Sequence, residues 1–285
     1  MDRKTKLKAF RKTFFGRGVI AYIAVAIIVL LFFVAIFAPI LTPYNPNQID
    51  LMSSLAKPSG KHLLGCDLHG RDLLTRIFYG ARISLTLGVF SCIVGAVAGM
   101  ALGLIAGYTD GPLSSIIMRY VDVQLAIPPM LFTIVIGVLV GHSIIGMIIA
   151  MSFGMLPSYI RLMYGLVLSL KNSDYIVALK FANVSTPRII VRHLLPNAFP
   201  TMMVTFTMNI GGTIMLESTL SFLGIGIQQP TASWGSMVAD GYQYMFTRPL
   251  LAFIPGLCIL LVVLSFNIAG DSLRDAIDPR LRGKL

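Results

Sequence analysis

The feature that most limits what this chain can become is a series of apolar runs, each about long enough to cross a bilayer. Val19–Leu41 contains no Asp, Glu, Lys or Arg. A hydrocarbon core of about 30 Å takes roughly 20 such residues as a helix. Five further runs follow at 83–108, 116–140, 144–166, 198–216 and 250–269, interrupted only by Arg119, Asp122 and Arg161. Charged residues are 12% of the 285 positions and hydrophobic residues 56%, so lipid is the better solvent for most of the chain. The reading is an all-α integral membrane protein with six transmembrane helices.

Charge then sets orientation. Segments 1–18, 108–115, 166–198 and 270–285 together hold 15 Lys and Arg, whereas 42–81, 141–143 and 224–250 hold 5. Cytoplasmic loops carry the basic excess, so both termini are expected in the cytoplasm. The net charge of +11 follows this topology and forms no basic patch, which argues against nucleic acid as a partner. The basic start followed by an apolar run resembles a signal peptide. The run is too long for one and lacks a small-x-small cleavage site, so it is expected to remain as the first span. The chain divides at 80–81 into an arm, first span and extracytoplasmic segment, then a five-helix core.

Within that plan, residues 62–80 place Leu73, Leu74, Ile77 and Phe78 on one helical face with Arg71, Asp72, Thr75 and Arg76 around the other, and predict a short helix lying on the membrane surface. Gly95, Gly99, Gly103 and Gly107 recur at every fourth position and predict close helix packing. Arg119 and Asp122, three apart, are expected to pair, and Pro128–Pro129 to kink the third span. Glu217, late in the fifth span, reads either as a functional site or as a helix-end residue paired with an outer-leaflet donor.

The longest polar interruption between spans is 172–197, NSDYIVALKFANVSTPRIIVRHLLPN. Tyr175, Ala178, Leu179 and Ala182 fall at i, i+3, i+4 and i+7 and predict a short helix with an apolar face. Asn183 suits a left-handed C-terminal cap. Thr186 and Pro187 read as the N-cap and first residue of a second helix, which carries Arg188 and Arg192 on one face and ends at Pro196. A basic helical knob on the cytoplasmic side needs a partner to press on it.

The chain offers little chemistry of its own. It has no GxxxxGK[ST] phosphate loop, no HExxH and no GxSxG. Its four histidines and Cys66, Cys92 and Cys258 lack metal-ligand spacing, and its 15 methionines are dispersed as in a membrane core. No cofactor is expected on this chain.

The knob resembles the EAA loop of binding-protein-dependent ABC importers, whose pattern is EAA, then Gly, then a distal LP. Here the pattern falls on Val177-Ala178-Leu179, Asn183 and Leu195-Pro196, so Val replaces the Glu and Asn the Gly. Residues 62–88 (HLLGCDLHGRDLLTRIFYGARISLTLG), 217–237 (ESTLSFLGIGIQQPTASWGSM) and 266–282 (FNIAGDSLRDAIDPRLR) resemble the C-type permease of dipeptide, oligopeptide and nickel importers. The resemblance implies a type I ABC importer permease fold in a bacterial or archaeal cytoplasmic membrane. It implies a B-type permease partner, two cytoplasmic ATPase subunits that bind ATP and Mg, and an extracytoplasmic solute-binding protein. The knob would then dock on the ATPase through Tyr175, Ile176, Val177, Ala178, Leu179, Asn183, Ile189, Leu195 and Pro196, with Lys180, Arg188 and Arg192 adding polar contacts. The Trp234 loop and 62–80 would face the binding protein. The expected cargo is a di- or oligopeptide, with nickel or another small solute as the alternative. A proton-coupled transporter would be expected to show an acidic or His relay within the spans.

Overall fold

The computed structural model describes residues 14–15 and 18–277. The seven basic residues of the arm, and Arg280, Arg282 and Lys284 of the charged tail, lie outside the described residues. Among the described residues all regular structure is helical, apart from one isolated backbone bridge between Cys66 and Asp72. The helices are α1 (Val19–Leu41), α2 (Leu73–Tyr108), α3 (Pro112–Leu125), α4 (Pro129–Val140), α5 (Ile144–Lys171), α6 (Asp174–Phe181), α7 (Thr186–Ile189), α8 (Leu195–Phe222), α9 (Trp234–Tyr242) and α10 (Leu250–Ile277).

Among the described residues α1, α2, α5 and α10 are long and apolar enough to cross a membrane, and α3 with α4 forms a bent pair that passes the same test. The remaining predicted span is α8, as long as α5 at 28 residues but threaded with Thr and Asn. The third span therefore departs from a kinked rod: its halves meet at 98°. Pro128 and Pro129 supply no N–H, and each biases the residue before it away from the helical region, so α3 stops at Leu125 and a new helix begins at Pro129.

The α2–α5 contact follows from the glycines. A Cβ at Gly95 would lie 2.9 Å from Met155 Cγ, at Gly99 2.3 Å from Tyr159 Cβ, at Gly103 2.5 Å from the Ile160 carbonyl oxygen and at Gly107 2.8 Å from Val167 Cβ. Four successive turns thus need hydrogen in place of a side chain, which is the close approach the spacing predicts. On the other side of α2, Cys92 packs with Ile210 and Ile214 of α8 and Val262 and Phe266 of α10. Ile28, Leu31 and Phe32 of α1 lean on that cluster from outside.

The surface helix expected over 62–80 does not form. Residues 62–72 are loop, and Leu73 begins α2, which runs unbroken across 80–81. Asp72 starts it: one carboxylate oxygen accepts from the Thr75 N–H at 2.8 Å and from its hydroxyl at 2.7 Å, while the other lies 2.9 Å from His62 Nδ1. The face expected to be wet, with Arg71, Asp72, Thr75 and Arg76, is buried. Arg76 Nη1 donates to the carbonyls of Pro46 (3.0 Å) and Pro230 (3.2 Å), and Arg71 Nε donates to Asp67 at 2.6 Å. These bonds fold the loops over the end of α2 farthest from the knob.

Candidate functional site

The knob is a helix clamped to the bundle by one face. Its first helix, α6, closes as the sequence predicts. Asn183 is left-handed (φ 57°), its N–H donates to Lys180 O at 3.0 Å, and the Val184 N–H reaches Leu179 O at 3.1 Å. This pair of bonds satisfies carbonyls that a helix end otherwise leaves open. The second helix begins one residue earlier than expected, with Ser185 as its N-cap and Thr186 as first residue.

Pro196 does not end it. From Thr186 the helix passes through a widened turn, Ile190–Leu194, with i to i+5 hydrogen bonding, and runs directly into α8. The wider register accommodates a Pro whose nitrogen cannot donate and whose ring would crowd the preceding turn. Knob and fifth predicted span are one continuous helical rod.

Burial separates the predicted contact residues into two sets. Ile176 and Ile189 are sealed at 0% and 1% exposure, and Leu179 is half-buried; all three pack with Leu194, Ala198, Met163 and Val167 of this chain. All three hold the knob in place; the sealed Ile176 and Ile189 are not available to a partner, which corrects the expectation for those two. The outward set is Tyr175, Val177, Ala178, Asn183, Arg188, Arg192 and Pro196, with Leu195 half-buried. Phe181, which periodicity did not single out, is the most prominent apolar side chain of the knob at 88% exposure. Its signal in the sequence was an aromatic residue on the polar side of a short amphipathic helix.

Tyr108, the last residue of α2, anchors the base. The ammonium groups of Lys171 and Lys180 each lie 5.8 Å from its ring centre, and its hydroxyl donates to Thr186 Oγ1 at 3.5 Å. Lys171 also bonds both oxygens of Asp110, at 2.9 and 2.8 Å. The hydrogen bonds and positive charge of Lys171 hold the Asp110 carboxyl below its ordinary range. At the other edge Asn197 Nδ2 donates to the Tyr175 hydroxyl at 3.2 Å and to His193 O at 2.7 Å.

Glu217 is not a helix-end residue: α8 continues to Phe222, and the carboxylate is fully buried. It accepts from Ser84 Oγ of α2 at 3.2 Å and from Ser221 Oγ at 2.7 Å, and Ser84 Oγ in turn accepts from the Trp234 N–H at 3.1 Å. Glu217 therefore ties α2, α8 and α9 together. Trp234 is equally sealed, its ring N–H donating to Ile77 O at 3.0 Å, so it cannot meet an outside partner. The exposed apolar side chains of that region are Tyr242, Met245 and Phe246. The expected Arg119–Asp122 pair is also replaced: Asp122 bonds Arg161 of α5, and Arg119 is exposed.

The bundle carries at one end a helix pair with one face seated and the other exposed, and comparison with known proteins supplies the class. Residues 99–283 match the family described as binding-protein-dependent transport system inner membrane component, and residues 15–58 match the N-terminal TM domain of oligopeptide transport permease C. The chain belongs to the family of inner membrane components of binding-protein-dependent transport systems. It is 37% identical to the dipeptide transport system permease protein DppC of Alkalihalophilus pseudofirmus, over 99% of this chain and 93% of that one. It is 36% identical to the oligopeptide transport system permease protein OppC of Bacillus subtilis, over 94% and 88%, and 40% identical to the glutathione transport system permease protein GsiD of Escherichia coli, over 94% and 89%. Its fold resembles a chain of the inward-facing MetNI methionine ABC transporter, with a TM-score of 0.61 and 17% identity over 72% of this chain and 98% of that one.

Proposed function

We propose that this chain is the C-type permease of an ATP-driven peptide importer, and that its knob is the surface on which a separate ATPase subunit acts. The observation that carries this reading is the division of the knob into a sealed base and an exposed apolar and basic face. Ile176, Ile189 and Leu194 lock it to α5 and α8, while Phe181, Val177, Tyr175, Arg188 and Arg192 are exposed. A rigid handle of that kind transmits a push without deforming, as rigid-body switching requires. ATP and Mg bind on the partner, and this chain binds neither.

The broken α3–α4 pair and α8 complete six spans, with both termini and the knob in the cytoplasm. A related permease supplies the other half of the path. A solute-binding protein meets the opposite end, where Met245 and Phe246 are exposed. The five-helix core starting near residue 81 serves as the transport unit, with the arm and first span as an addition to it. Peptide cargo is favoured by the names of the relatives, which include dipeptide, oligopeptide and glutathione permeases.

The test is reconstitution of this chain in liposomes with its partner permease, the two ATPase subunits and the solute-binding protein. ATP-dependent, uncoupler-insensitive peptide uptake is expected. Replacing Leu195 and Pro196 together is expected to uncouple hydrolysis from uptake while membrane insertion is kept, and full ATP-driven uptake by that double variant would refute the assignment of the knob.

A further inference from the structure

Where α4, α5 and α8 meet lies a groove of about 210 Å3 that none of the features above uses, its wall mixing Ser158, Asn209 and Thr213 with the apolar Met151, Met155 and Leu216. Ser158 and Asn209 sit at the middle of two 28-residue helices, and Ser158 and Gly212 are exposed. One turn nearer the knob on the same face of α5 stands Arg161, paired with Asp122 of α3, the two side chains 51% and 53% exposed. Arg161 is five residues short of 166, where the apolar run of α5 ends, which puts it about 8 Å inside the span.

An exposed ion pair within a span faces an aqueous cavity or a protein interface, as ionisable groups inside a membrane do. A second, independent observation marks the same place. The α3–α4 break, with Ala126, Ile127 and Pro128 exposed, leaves non-helical backbone beside the groove. Such backbone is tolerated at membrane depth only where it lines protein or water.

Building on the importer reading, we propose that this groove is the chain's wall of the solute path and that the Arg161–Asp122 pair opens to receive a zwitterionic peptide. Arg161 takes the free carboxylate and Asp122 the free ammonium, each exchanging its present partner for a like one. Ser158 and Asn209, which offer hydroxyl and amide groups without charge, meet backbone amides in a way that is indifferent to side chains. A path built so passes peptides by their ends and backbone.

The experiment uses the reconstituted complex with the three native cysteines replaced by Ala. S158C and N209C are expected to react with a charged, membrane-impermeant methanethiosulfonate, to lose uptake on reaction, and to be protected by a pool of short peptides. F253C, on the outer surface of α10, should stay unreactive. R161Q is expected to lower uptake of dialanine about tenfold relative to its C-terminal amide, and D122N to lower it about tenfold relative to the N-acetylated peptide. Each uptake is expressed against wild type for the same peptide, which cancels the binding protein's own preference. The charge-swapped variant D122R/R161D keeps an ion pair: recovered assembly with impaired uptake supports the proposal, and full uptake overturns it in favour of a structural pair. Unreactive S158C and N209C overturn it as well, marking the groove as packing against the second permease. If wild type itself imports no peptide with ATP, the importer reading fails; if wild type imports and these arms fail, only this inference falls.

Discussion

Gly99 of α2 and Tyr159 of α5 are in contact with no room between them: a methyl group on Gly99 would lie 2.3 Å from Tyr159 Cβ. Gly99→Ala should therefore push α2 off α5 and destabilise the purified protein by about 1–3 kcal/mol. Gly165 of the same α5 has nothing within 4 Å of the corresponding position, so Gly165→Ala should be neutral or stabilise by about 0.5–1 kcal/mol. Thermal unfolding in detergent compares the two, and equal Tm values would contradict the packing account.

Asn183 occupies the left-handed region in a position where the resembling importers carry Gly. Asn183→Gly should leave α6 intact, because Gly meets φ 57° without a Cβ penalty. Asn183→Val should cost about 1–2 kcal/mol and loosen the α6–α7 turn. Hydrogen exchange at the Val184 amide, which donates to Leu179 O, reads this directly: faster exchange in the Val variant, little change in the Gly variant.

Phe181 and Ile176 lie five residues apart with opposite roles. Phe181→Ala removes an 88% exposed ring, so stability should hold while affinity for the ATPase falls by about 2 kcal/mol, the scale of an aromatic anchor at an interface centre. Ile176→Ala empties a fully buried site and should cost about 2–5 kcal/mol of fold stability. Co-purification of the ATPase together with Tm separates them. A Phe181→Ala variant that binds its ATPase unchanged would move the contact elsewhere on the knob.

Glu217 gives a test of polar ties inside the bundle. Glu217→Leu strands the hydroxyls of Ser84 and Ser221 in a buried site, at about 1–3 kcal/mol for an unsatisfied group. Glu217→Gln keeps an acceptor and should lose much less. If both variants melt alike, the hydrogen bonds do not hold α2 and α8 together.

Asp240 of α9 carries the pH dependence. Burial raises its carboxyl above the ordinary carboxylate range against the pull of Arg76 and Arg71, while Gln229 Nε2 donates to it at 2.7 Å. The folded state therefore holds this proton more tightly than the unfolded chain does. Its contribution is favourable in acid and is lost as pH climbs through the raised value. Asp240→Asn should gain stability relative to wild type as pH rises above about 4, the ordinary carboxylate range. A Tm difference that stays flat over that rise would assign the effect to another group.

Several of these features could be read from the residues alone. The glycine spacing, the left-handed Asn183 and the fully uncharged Val19–Leu41 are local, and local rules decide them. What the sequence did not disclose depended on neighbours distant in the chain. Ile176 and Tyr175 are both apolar and adjacent, and only the position of Met163 and Val167 decides which is sealed. Asp122 had a basic residue three positions away, yet bonds Arg161 across the break because the two helices are brought side by side. Arg71, Asp72 and Arg76 looked like a wet face until loops from 42–72 and the segment around Pro230 were folded over them. Pro196 reads as a stop in any single-helix rule, and the widened turn before it lies outside such rules.

That turn has a mechanical consequence. From Thr186 to Phe222 the chain is one rod with no loop in it, about 55 Å from end to end. A loop would absorb part of any displacement as slack. If the knob is the ATPase contact proposed above, a stroke at Arg188 reaches Glu217 and the α9 cover through this rod, whose breaks in regular hydrogen bonding are the turn at Ile190–Leu194 and Pro200. In that reading the two ends of the protein keep time because they are the two ends of one rod.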